Sequence, residues 1–317
     1  MKIAVGFITY NLDTAKYLPY FLDSLFKALE TWPKDEILIL ACDNSDEADN
    51  YNRDYIETVF NKESRLINFS WSGENLGFAK SYNKMILEAN NFGAEFFLMI
   101  NPDTVLSPDS LLKLTTALNA DKNLGSVAPK LLRWDFANLK LTKQIDSCGL
   151  TLSPGLQFSD IGQGKIDDGS FDSLDILGPS GAAALYRLNA LNQVKESTGY
   201  LDERIFMYKE DCDLAYRLSL AGFSSQLVPQ SLIYHDRTAT SSGKGILNSL
   251  RSRGLKSKQV RAWSFLYQHL LFIKFWSKQG ARDKIIIIAR VFFLAIFALF
   301  REPFLLKNYF KIVKFIK

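Results

Sequence analysis

The chain has 317 residues, of which 47% are hydrophobic and 23% are charged, the proportions of an ordinary soluble globular protein. They exclude a disordered chain, a collagen-like repeat and a membrane protein with several spans. The three cysteines and two histidines are too few and too scattered for a disulfide framework, a zinc module or a His-rich metal site, and they favour a reducing compartment.

The net charge of +4 is the sum of an acidic body and a basic tail. Residues 244–317 contain 16 Lys and Arg residues and two acidic residues, whereas residues 1–243 contain 22 and 32. We therefore predict a domain at 1–243 and a separate C-terminal region at 244–317. The apolar stretch at the N-terminus is too short for a signal peptide, so we expect the chain to remain in the cytoplasm.

Apolar runs alternate with helical patterns along the first hundred residues. Strands are predicted at 3–9, 36–42, 65–70 and 95–100, with helices at 14–29 and 78–91. Such alternation predicts a mostly parallel sheet covered by helices. Because ligands of such sheets bind at the carboxyl ends of the strands, the residues that follow each strand are the first candidates for a site.

The second half of the domain is less regular in sequence. Residues 136–177 are rich in Gly, Ser and Asp, and we interpret them as irregular structure with short strands, a candidate loop over the active site. Regular elements are predicted around this segment: a helix from 111, a strand at 126–129, a helix at 210–220 and short strands at 225–228 and 232–234.

The turn Asn101-Pro102-Asp103 follows the fourth predicted strand. A carboxylate beside a second oxygen ligand suits Mg²⁺ or Mn²⁺, which would neutralise a diphosphate. Ordinary turn chemistry is the alternative explanation of the same three residues, because Asn, Pro and Asp are all favoured in turns.

A cluster of acids opens the helix predicted at 210–220. Acids in a first turn are favoured by the helix dipole, and Asp213 is spaced to pair with Arg217, so capping is one interpretation. The other is that Asp211, crowded by Glu210, serves as a general base.

His235 follows the last predicted strand. It is a candidate metal ligand, and the adjacent Asp236 is a candidate for orienting its ring. The alternative is a purely structural histidine.

Seven motifs occur in a fixed order between residues 9 and 236: TYN, DNSD, ENLGFAKSYN, NPDT, SGAAALYR, EDCDLAYRLSLAGF and YHD. In this order they resemble the family-2 glycosyltransferases with the GT-A fold, and within them the bacterial rhamnosyltransferase-like branch. The resemblance implies an α/β fold and the transfer, with inversion, of a sugar from a nucleoside-diphosphate donor to a hydroxyl group. It favours rhamnose from dTDP-rhamnose as donor, and a cell-surface glycan such as O-antigen, capsule or cell wall, or its lipid-linked precursor, as acceptor.

The same resemblance implies roles for individual residues. Asp211 matches the catalytic base, and Asp103 and His235 match ligands of a Mg²⁺ or Mn²⁺ cofactor. Asn101 stands where the family's metal motif has its first acid, which leaves Asp103 as the main anionic ligand. Asp43 is expected to bond the edge of the base. The residues implied in donor binding are Thr9, Tyr10, Asn11, Asp43, Asn75, Gly77, Phe78 and Asn101.

Three alternatives to a rhamnosyltransferase stay open at this point. The same chemistry could use a UDP-hexose or UDP-galactofuranose donor. A sugar-nucleotide nucleotidyltransferase also has a doubly wound sheet, although no Gly-rich basic triphosphate loop is found near the N-terminus. The third alternative is a non-catalytic membrane adaptor that retains the fold.

The basic tail combines its charge with many aromatic residues over 259–317. Its most apolar stretch, 285–300, contains Arg290 and is shorter than the roughly 20 residues that a membrane span needs. We therefore predict a helix lying in the interface of an anionic membrane, with the protein peripheral on the inner face of the cell membrane. An ordinary helical subdomain or a homo-oligomer interface is the alternative, and nucleic-acid binding is disfavoured because no motif for it occurs.

Overall fold

The computed structural model describes residues 1–63, 67–237 and 257–315. The described strands are β1 (Ile3–Thr9), β2 (Ile37–Asp43), β3 (Ile67–Trp71), β4 (Phe96–Ile100), β5 (Thr104–Leu106), β6 (Leu124–Asp135), β7 (Lys140–Ser147), β8 (Leu150–Ser153), β9 (Gln157–Asp160), β10 (Ala183–Arg187) and β11 (Ser224–His235). The described α-helices are α1 (Asn11–Ala15), α2 (Leu18–Ala28), α3 (Tyr51–Glu63), α4 (Gly77–Phe92), α5 (Ser110–Ala120), α6 (Leu188–Gln193), α7 (Glu210–Leu220), α8 (Lys258–Phe275), α9 (Ala281–Phe300) and α10 (Asn308–Val313).

The chain forms two compact units. The first comprises Met1–Leu150, Asp160–Phe206 and Glu210–Thr238. The second comprises Thr151–Ser159, Met207–Lys209 and Ala239–Lys317. The domain boundary predicted between residues 243 and 244 lies outside the described residues.

The first unit is built on one large sheet. In its described part the strand order is β3-β2-β1-β4-β10-β6-β11-β5, and β7 pairs with β6. Strands β1 to β4 run parallel to one another, and β11 runs parallel to β6. Strand β10 is antiparallel to β4, and β5 is antiparallel to β11. The predicted mostly parallel α/β sheet is therefore confirmed. Its arrangement brings the carboxyl ends of β1, β2, β4 and β11 to one edge.

The central strands are apolar because helices cover both faces of the sheet. Every residue of β2 and β4 is buried, which is typical of strands without a solvated face. Helix α2 packs Phe21, Leu22 and Leu25 into the core on one face. Helix α4 packs Tyr82 and Met85 into the core on the other.

Two predicted elements differ from the structure for local reasons. The single helix predicted at 14–29 is two helices, α1 and α2, because Pro19 lies in the first turn of α2, where its missing N–H leaves no hydrogen bond unmade. The two short strands predicted near the end of the domain are one strand, β11, with a register shift between Val228 and Leu232.

Residues 136–177 contain short strands, β8 and β9, as predicted, but β7 is a longer regular strand of eight residues that the weak pattern did not indicate. Its first five residues are exposed or half-buried and its last three are buried. This uneven burial hides the period-two alternation by which a half-buried strand is recognised.

Helix α7 is held in place by a buried arginine. The Arg217 guanidinium contacts the fully buried Asp213 carboxylate, with 2.8 Å between Nε and Oδ2, which confirms the spacing argument for this pair. The guanidinium also donates to the backbone carbonyls of Val194 and Tyr200, each at 2.6 Å. One side chain thus connects α7 to the segment between α6 and α7.

We predict that Arg217→Met lowers the free energy of unfolding by about 3–5 kcal/mol, because it deprives the buried Asp213 carboxylate of its main counter-charge. Urea-induced unfolding measures the effect. Lys27→Met is the control, since its ion pair with Asp23 is exposed and should contribute less than about 1 kcal/mol. Equal stability loss in the two variants would contradict the anchoring role of Arg217.

In the second unit, α8, α9 and α10 are joined by short connections, and the tip of the β8–β9 hairpin packs with them. Gln268 of α8 donates to the carbonyl of Leu156 at 3.2 Å. In the described part of the chain, no helix is both long enough and apolar enough to cross a bilayer.

Candidate active site

Two residues predicted as metal ligands meet at the carboxyl edge of the sheet. Asp103 follows β4, and His235 is the last residue of β11, where it pairs with Thr104. The Oδ2 atom of Asp103 lies 3.3 Å from Nε2 of His235. The Asp236 backbone N–H also donates to the Asp103 carbonyl at 2.9 Å. Strand pairing between β5 and β11 therefore joins side chains that are far apart in the sequence.

The other side of the His235 ring contacts a carboxylate that the sequence analysis missed. Nδ1 of His235 lies 2.8 Å from Oδ2 of Asp146 on β7. Burial by itself lowers the pKa of His235, but the carboxylates of Asp103 and Asp146 outweigh burial and raise the pKa to about 10. The ring is thus held between two carboxylates.

Asp236, which we expected to orient His235, has a different partner. Its carboxylate accepts a hydrogen bond from the Tyr17 hydroxyl at 2.6 Å. Burial, the bond to Asp236 and the charge of Asp103 all raise the pKa of Tyr17. Asp146 takes the orienting position instead, since its Oδ2 atom is the carboxylate oxygen beside Nδ1 of His235.

Asp146 is itself fixed by two arginines. Arg133 and Arg237 each place Nη1 at 3.3 Å from its Oδ1 atom. Burial alone would raise the pKa of Asp146, but the bond from His235 and the charges of Arg237 and Arg133 hold it below its ordinary value. The sequence did contain one signal for Asp146, since this acid lies in a short stretch between the apolar residues Ile145 and Cys148, both of which are buried.

The Asp103–His235 pair fits a divalent cation. The second oxygen of Asp103, Oδ1, is buried and accepts no hydrogen bond from any residue that the structure describes. Ligands about 2.1 Å from Mg²⁺ in an octahedral shell lie about 3 Å apart, close to the distance between Asp103 Oδ2 and His235 Nε2. A carboxylate oxygen suits Mg²⁺ or Mn²⁺, and the His235 ring is oriented by a second carboxylate, as histidine ligands of metals are. Nε2 of His235 can bind a cation only after the ring gives up its proton, so metal binding at this pair would release a proton.

A second acidic group lies elsewhere in the described residues. Glu196, Asp202 and Asp213 place one oxygen each within 4.8 Å of one another. Arginines occupy this cluster, since Arg217 contacts Asp213 at 2.8 Å and Arg204 contacts both oxygens of Asp202. The cluster is therefore an ion-pair network that supports α7.

Asp211 stands at the start of α7 and is connected to the Asn101 turn through two residues of the SGAAALYR motif. The Gly181 N–H donates to Asp211 Oδ2 at 3.1 Å, and the Ala182 carbonyl accepts from the Asn101 N–H at 2.9 Å. Oδ1 of Asp211 accepts from the Cys212 N–H at 2.7 Å. The residue predicted as base and the turn predicted to bind metal are therefore positioned by the same short segment.

Asp43 joins the ends of β1 and β2. It is fully buried, and it accepts hydrogen bonds from the Thr9 hydroxyl at 2.8 Å, the Ser45 hydroxyl at 2.7 Å and the Asn50 amide at 2.8 Å. Because these bonds already engage both carboxylate oxygens, the direct contact of Asp43 with a nucleotide base stays a prediction.

The TYN and DNSD motifs are held together by Asn11. Its backbone is in the left-handed region, with φ +42°, and its N–H donates to the Ser45 hydroxyl at 2.8 Å. The Asn11 side chain donates to the Asp46 carboxylate at 2.9 Å and accepts from the Asp46 N–H at 3.1 Å. Tyr10 is half-buried beside them, and its N–H donates to Thr14 at 2.7 Å.

Gly77 lies where a side chain has no room. Its φ is +72°, and a Cβ there would be 2.6 Å from Cδ2 of Phe206 and 2.7 Å from the Phe206 carbonyl oxygen. That carbonyl accepts from the Phe78 N–H at 2.7 Å, and the Gly77 N–H donates to the Asn75 side chain at 2.9 Å. The NLGF turn therefore packs tightly against the chain that leads into α7.

Comparison with known proteins decides the family. Residues 5–194, well over half of the chain, match the family model described as glycosyl transferase family 2. The chain belongs to glycosyl transferase family 2. Its curated relatives include the N-acetylglucosaminyl-diphospho-decaprenol L-rhamnosyltransferases of two Mycobacterium tuberculosis strains, each 28% identical over 194 residues. The match covers 55% of this chain and 59% of each relative, which is less than two thirds of their length.

Solved glycosyltransferases share the fold of this family-2 chain. The mannosyltransferase PcManGT from Pyrobaculum calidifontis, in complex with GDP-Man and Mn²⁺, has a TM-score of 0.57 and 13% identity, with 99% of this chain and 74% of that chain covered. GalNAc-T7 with UDP, GalNAc and Mn²⁺ has a TM-score of 0.55 and 9% identity, with 89% and 52% covered. These likenesses confirm the predicted GT-A fold.

We predict that Gly77→Ala destabilises the protein more than Gly93→Ala, at the opposite end of the same helix. Both glycines have φ near +75°, which costs an alanine about 1–2 kcal/mol, but no atom of the described residues lies within 4 Å of a Cβ at Gly93. The difference in melting temperature between the two variants isolates the contact with Phe206. Equal melting temperatures would contradict the prediction, because they would show that Phe206 and the NLGF turn can shift to accommodate the alanine side chain without loss of stability.

Proposed function

We propose that this family-2 protein transfers a sugar, with inversion, from a nucleoside-diphosphate donor to a hydroxyl group of a glycan acceptor. One observation carries the proposal. The Gly181–Ala182 segment connects Asp211 to the turn that holds Asp103, and Asp103 contacts the oriented ring of His235. A carboxylate and a pair of metal-ligating side chains at the carboxyl edge of a parallel sheet suit catalysis on a diphosphate-activated sugar.

Asp211 is proposed as the general base. Each of its oxygens accepts one backbone hydrogen bond, and each retains a lone pair that can accept the proton of an acceptor hydroxyl. As that proton passes to Asp211, the hydroxyl oxygen forms a bond to the anomeric carbon. The bond from this carbon to the diphosphate oxygen breaks on the opposite face, and the nucleoside diphosphate leaves with the bonding electrons. Attack from that face inverts the anomeric configuration.

Asp103 and His235 are proposed to hold Mg²⁺ or Mn²⁺, with Asn101 beside the donor diphosphate. A bound cation would supply stabilisation of the negative charge that develops on the leaving diphosphate. The role of Asp146 in this proposal is to fix the ring of His235, so that Nε2 faces Asp103. Arg133 and Arg237 in turn keep the Asp146 carboxylate ionised and in place.

The donor pocket is proposed to lie along the ends of β1, β2 and α4. Thr9, Tyr10, Asn11 and Asp43 form one side of it, and Asn75, Gly77 and Phe78 form the other. The Asn44 side chain supports this placement, because its amide donates to the Gly77 carbonyl at 3.3 Å and so joins the NLGF turn to the segment that follows Asp43.

Rhamnose from dTDP-rhamnose is the proposed donor, and a lipid-linked precursor of a cell-surface glycan is the proposed acceptor. The mycobacterial relatives support both choices, because they are described as N-acetylglucosaminyl-diphospho-decaprenol L-rhamnosyltransferases, a name that contains rhamnose and a lipid-linked sugar. A lipid-linked acceptor also favours a cytoplasmic enzyme that is peripheral on the inner face of the cell membrane.

A screen of nucleotide sugars tests the function as a whole. We expect metal-dependent binding and transfer with dTDP-rhamnose, and NMR of the product should show the inverted anomeric configuration. If transfer occurred only with UDP-glucose or UDP-galactofuranose, the proposed donor would be wrong and the proposed transfer reaction would stand. Pyrophosphate release from a nucleoside triphosphate and a sugar phosphate would favour a nucleotidyltransferase, and no turnover with any donor would favour an adaptor.

We predict that Asp103→Asn weakens Mn²⁺ binding at least about tenfold, because it removes the anionic ligand. Titration followed by electron paramagnetic resonance measures Mn²⁺ binding without reference to activity. Asp146→Asn should weaken binding about 10- to 100-fold through loss of the charge that orients His235. Asp109→Asn removes the same charge from an exposed ion pair and should leave binding unchanged. Wild-type Mn²⁺ affinity in Asp103→Asn would refute the metal site.

We predict that Asp211→Asn retains donor binding but lowers the transfer rate by about 10²–10⁴-fold, because the amide cannot accept the acceptor's proton. Donor affinity is measured by calorimetry and transfer by product formation. Glu210→Gln is the matched control at the adjacent position. If Asp211→Asn transferred at a near-normal rate while Glu210→Gln did not, Glu210 would be the base.

A further inference from the structure

Helix α9 exposes an unusually apolar face. Seven of its large apolar side chains are between 43% and 74% exposed. Their spacing of three or four residues, with two adjacent pairs, places them on one side of the helix, where they form a stripe. We call this surface the α9 stripe, and it consists of Ile285, Ile288, Phe292, Phe293, Ile296, Leu299 and Phe300.

The orientation of α9 is fixed by contacts within its own unit. The Gly155 N–H donates to the Asp283 carboxylate at 2.7 Å, and the Gly155 carbonyl accepts from Arg290 at 2.5 Å. The Arg290 guanidinium also lies 5.4 Å from the centre of the Phe272 ring. Arg290 is the single charged residue between 285 and 300, and these contacts occupy it. The stripe itself therefore carries no charge.

The surroundings of the stripe are basic. Residues 257–315 contain eleven Lys and Arg residues and two acidic residues. The two acids are engaged within the unit, since Asp283 binds Gly155 and Glu302 contacts Arg261 at 2.6 Å. Basic side chains that are exposed include Lys278, Arg282, Arg301, Lys307 and Lys311. An anionic partner is the one that this surface would attract.

The short helix α10 also combines exposed apolar side chains with exposed lysines. Phe310 is 81% exposed and Val313 is 53% exposed, and they alternate with Lys307, Lys311 and Lys314. Aromatic and aliphatic side chains interleaved with lysines are typical of segments that lie at the boundary between headgroups and acyl chains.

We propose that the α9 stripe inserts into the headgroup–acyl boundary of an anionic bilayer, with the helix parallel to the membrane plane. A helix of 20 residues is about 30 Å long, and its apolar face would enter the interface by about 5–10 Å. Exposed lysines and arginines around it bind anionic headgroups through charge attraction.

Charge decides between lipid and a second copy of the chain. Two α9 stripes packed face to face would bring together two strongly basic surfaces, which repel each other. Anionic lipid instead neutralises those charges while the stripe leaves water. The proposal goes further than the membrane placement proposed above, on which it rests, by naming the face that inserts.

Vesicle flotation with the full chain tests the proposal. We expect binding to phosphatidylcholine vesicles that contain phosphatidylglycerol. Phe292→Asp/Phe293→Asp should weaken that binding about tenfold or more, because the added carboxylates cannot enter the apolar layer. Leu112→Asp/Leu174→Asp is the matched control, since it adds the same charge at two exposed leucines of the first unit. Ile288→Asp/Phe292→Asp is a second stripe variant, and an unchanged melting temperature shows that each variant is folded.

The outcomes separate this proposal from the proposed function. If the stripe variants bind vesicles as tightly as the wild type, α9 is not the inserting face, although membrane association stands. If the wild type ignores vesicles and instead forms a dimer that the stripe variants dissociate, the stripe is an interface between copies. Donor turnover in solution is measured on the same proteins. If the wild type turns over no donor, the proposed glycosyl transfer is refuted, and the result for lipid binding is unaffected.

Discussion

The imidazole of His235 connects three separate parts of the chain at the carboxyl edge of the sheet. It lies on β11, it contacts Asp103 after β4 on one side, and it contacts Asp146 on β7 on the other. A buried carboxylate and a buried imidazole are each costly to desolvate, and they are tolerated here because their charges oppose one another. Arg133 and Arg237 complete the balance around Asp146. The geometry of the proposed metal site therefore depends on this chain of alternating charges.

Hydrogen bonds to backbone groups also position the proposed base, Asp211, relative to the metal turn. Gly181 donates to Asp211, and the next residue, Ala182, accepts from Asn101. Gly181 and Ala182 directly precede β10, so the sheet helps to fix the backbone groups that contact the base and the metal turn. Arg217 stabilises α7, the helix that carries Asp211, through its ion pair with Asp213. In the second unit, Gly155 has a comparable role, because its N–H and carbonyl both bind α9.

Much of the fold was predictable because it depends on local patterns. Continuous apolar runs predicted β1, β2 and β4, and helical spacing predicted α4 and α7 within a few residues. The predictions failed where the pattern is weak: β7 has an exposed half, α3 was not predicted, and Pro19 divides a helix that spacing alone makes continuous. For the site, the motif order led to Asp103 and His235, which do lie together, whereas the functional roles of these and the other expected residues stay predictions.

The sequence by itself determined the fold class, the family resemblance and the basic, aromatic tail, because composition, periodicity and motif order are all properties of short stretches. Only the tertiary structure decided which groups touch. Asp146 and His235 are 89 residues apart, and Tyr17 and Asp236 are 219 apart, so no local pattern could pair them. Whether Asp236 or Asp146 orients His235 depends on the face to which each side chain points. The direction of the α9 stripe likewise depends on two hydrogen bonds to Gly155, a residue more than a hundred positions away.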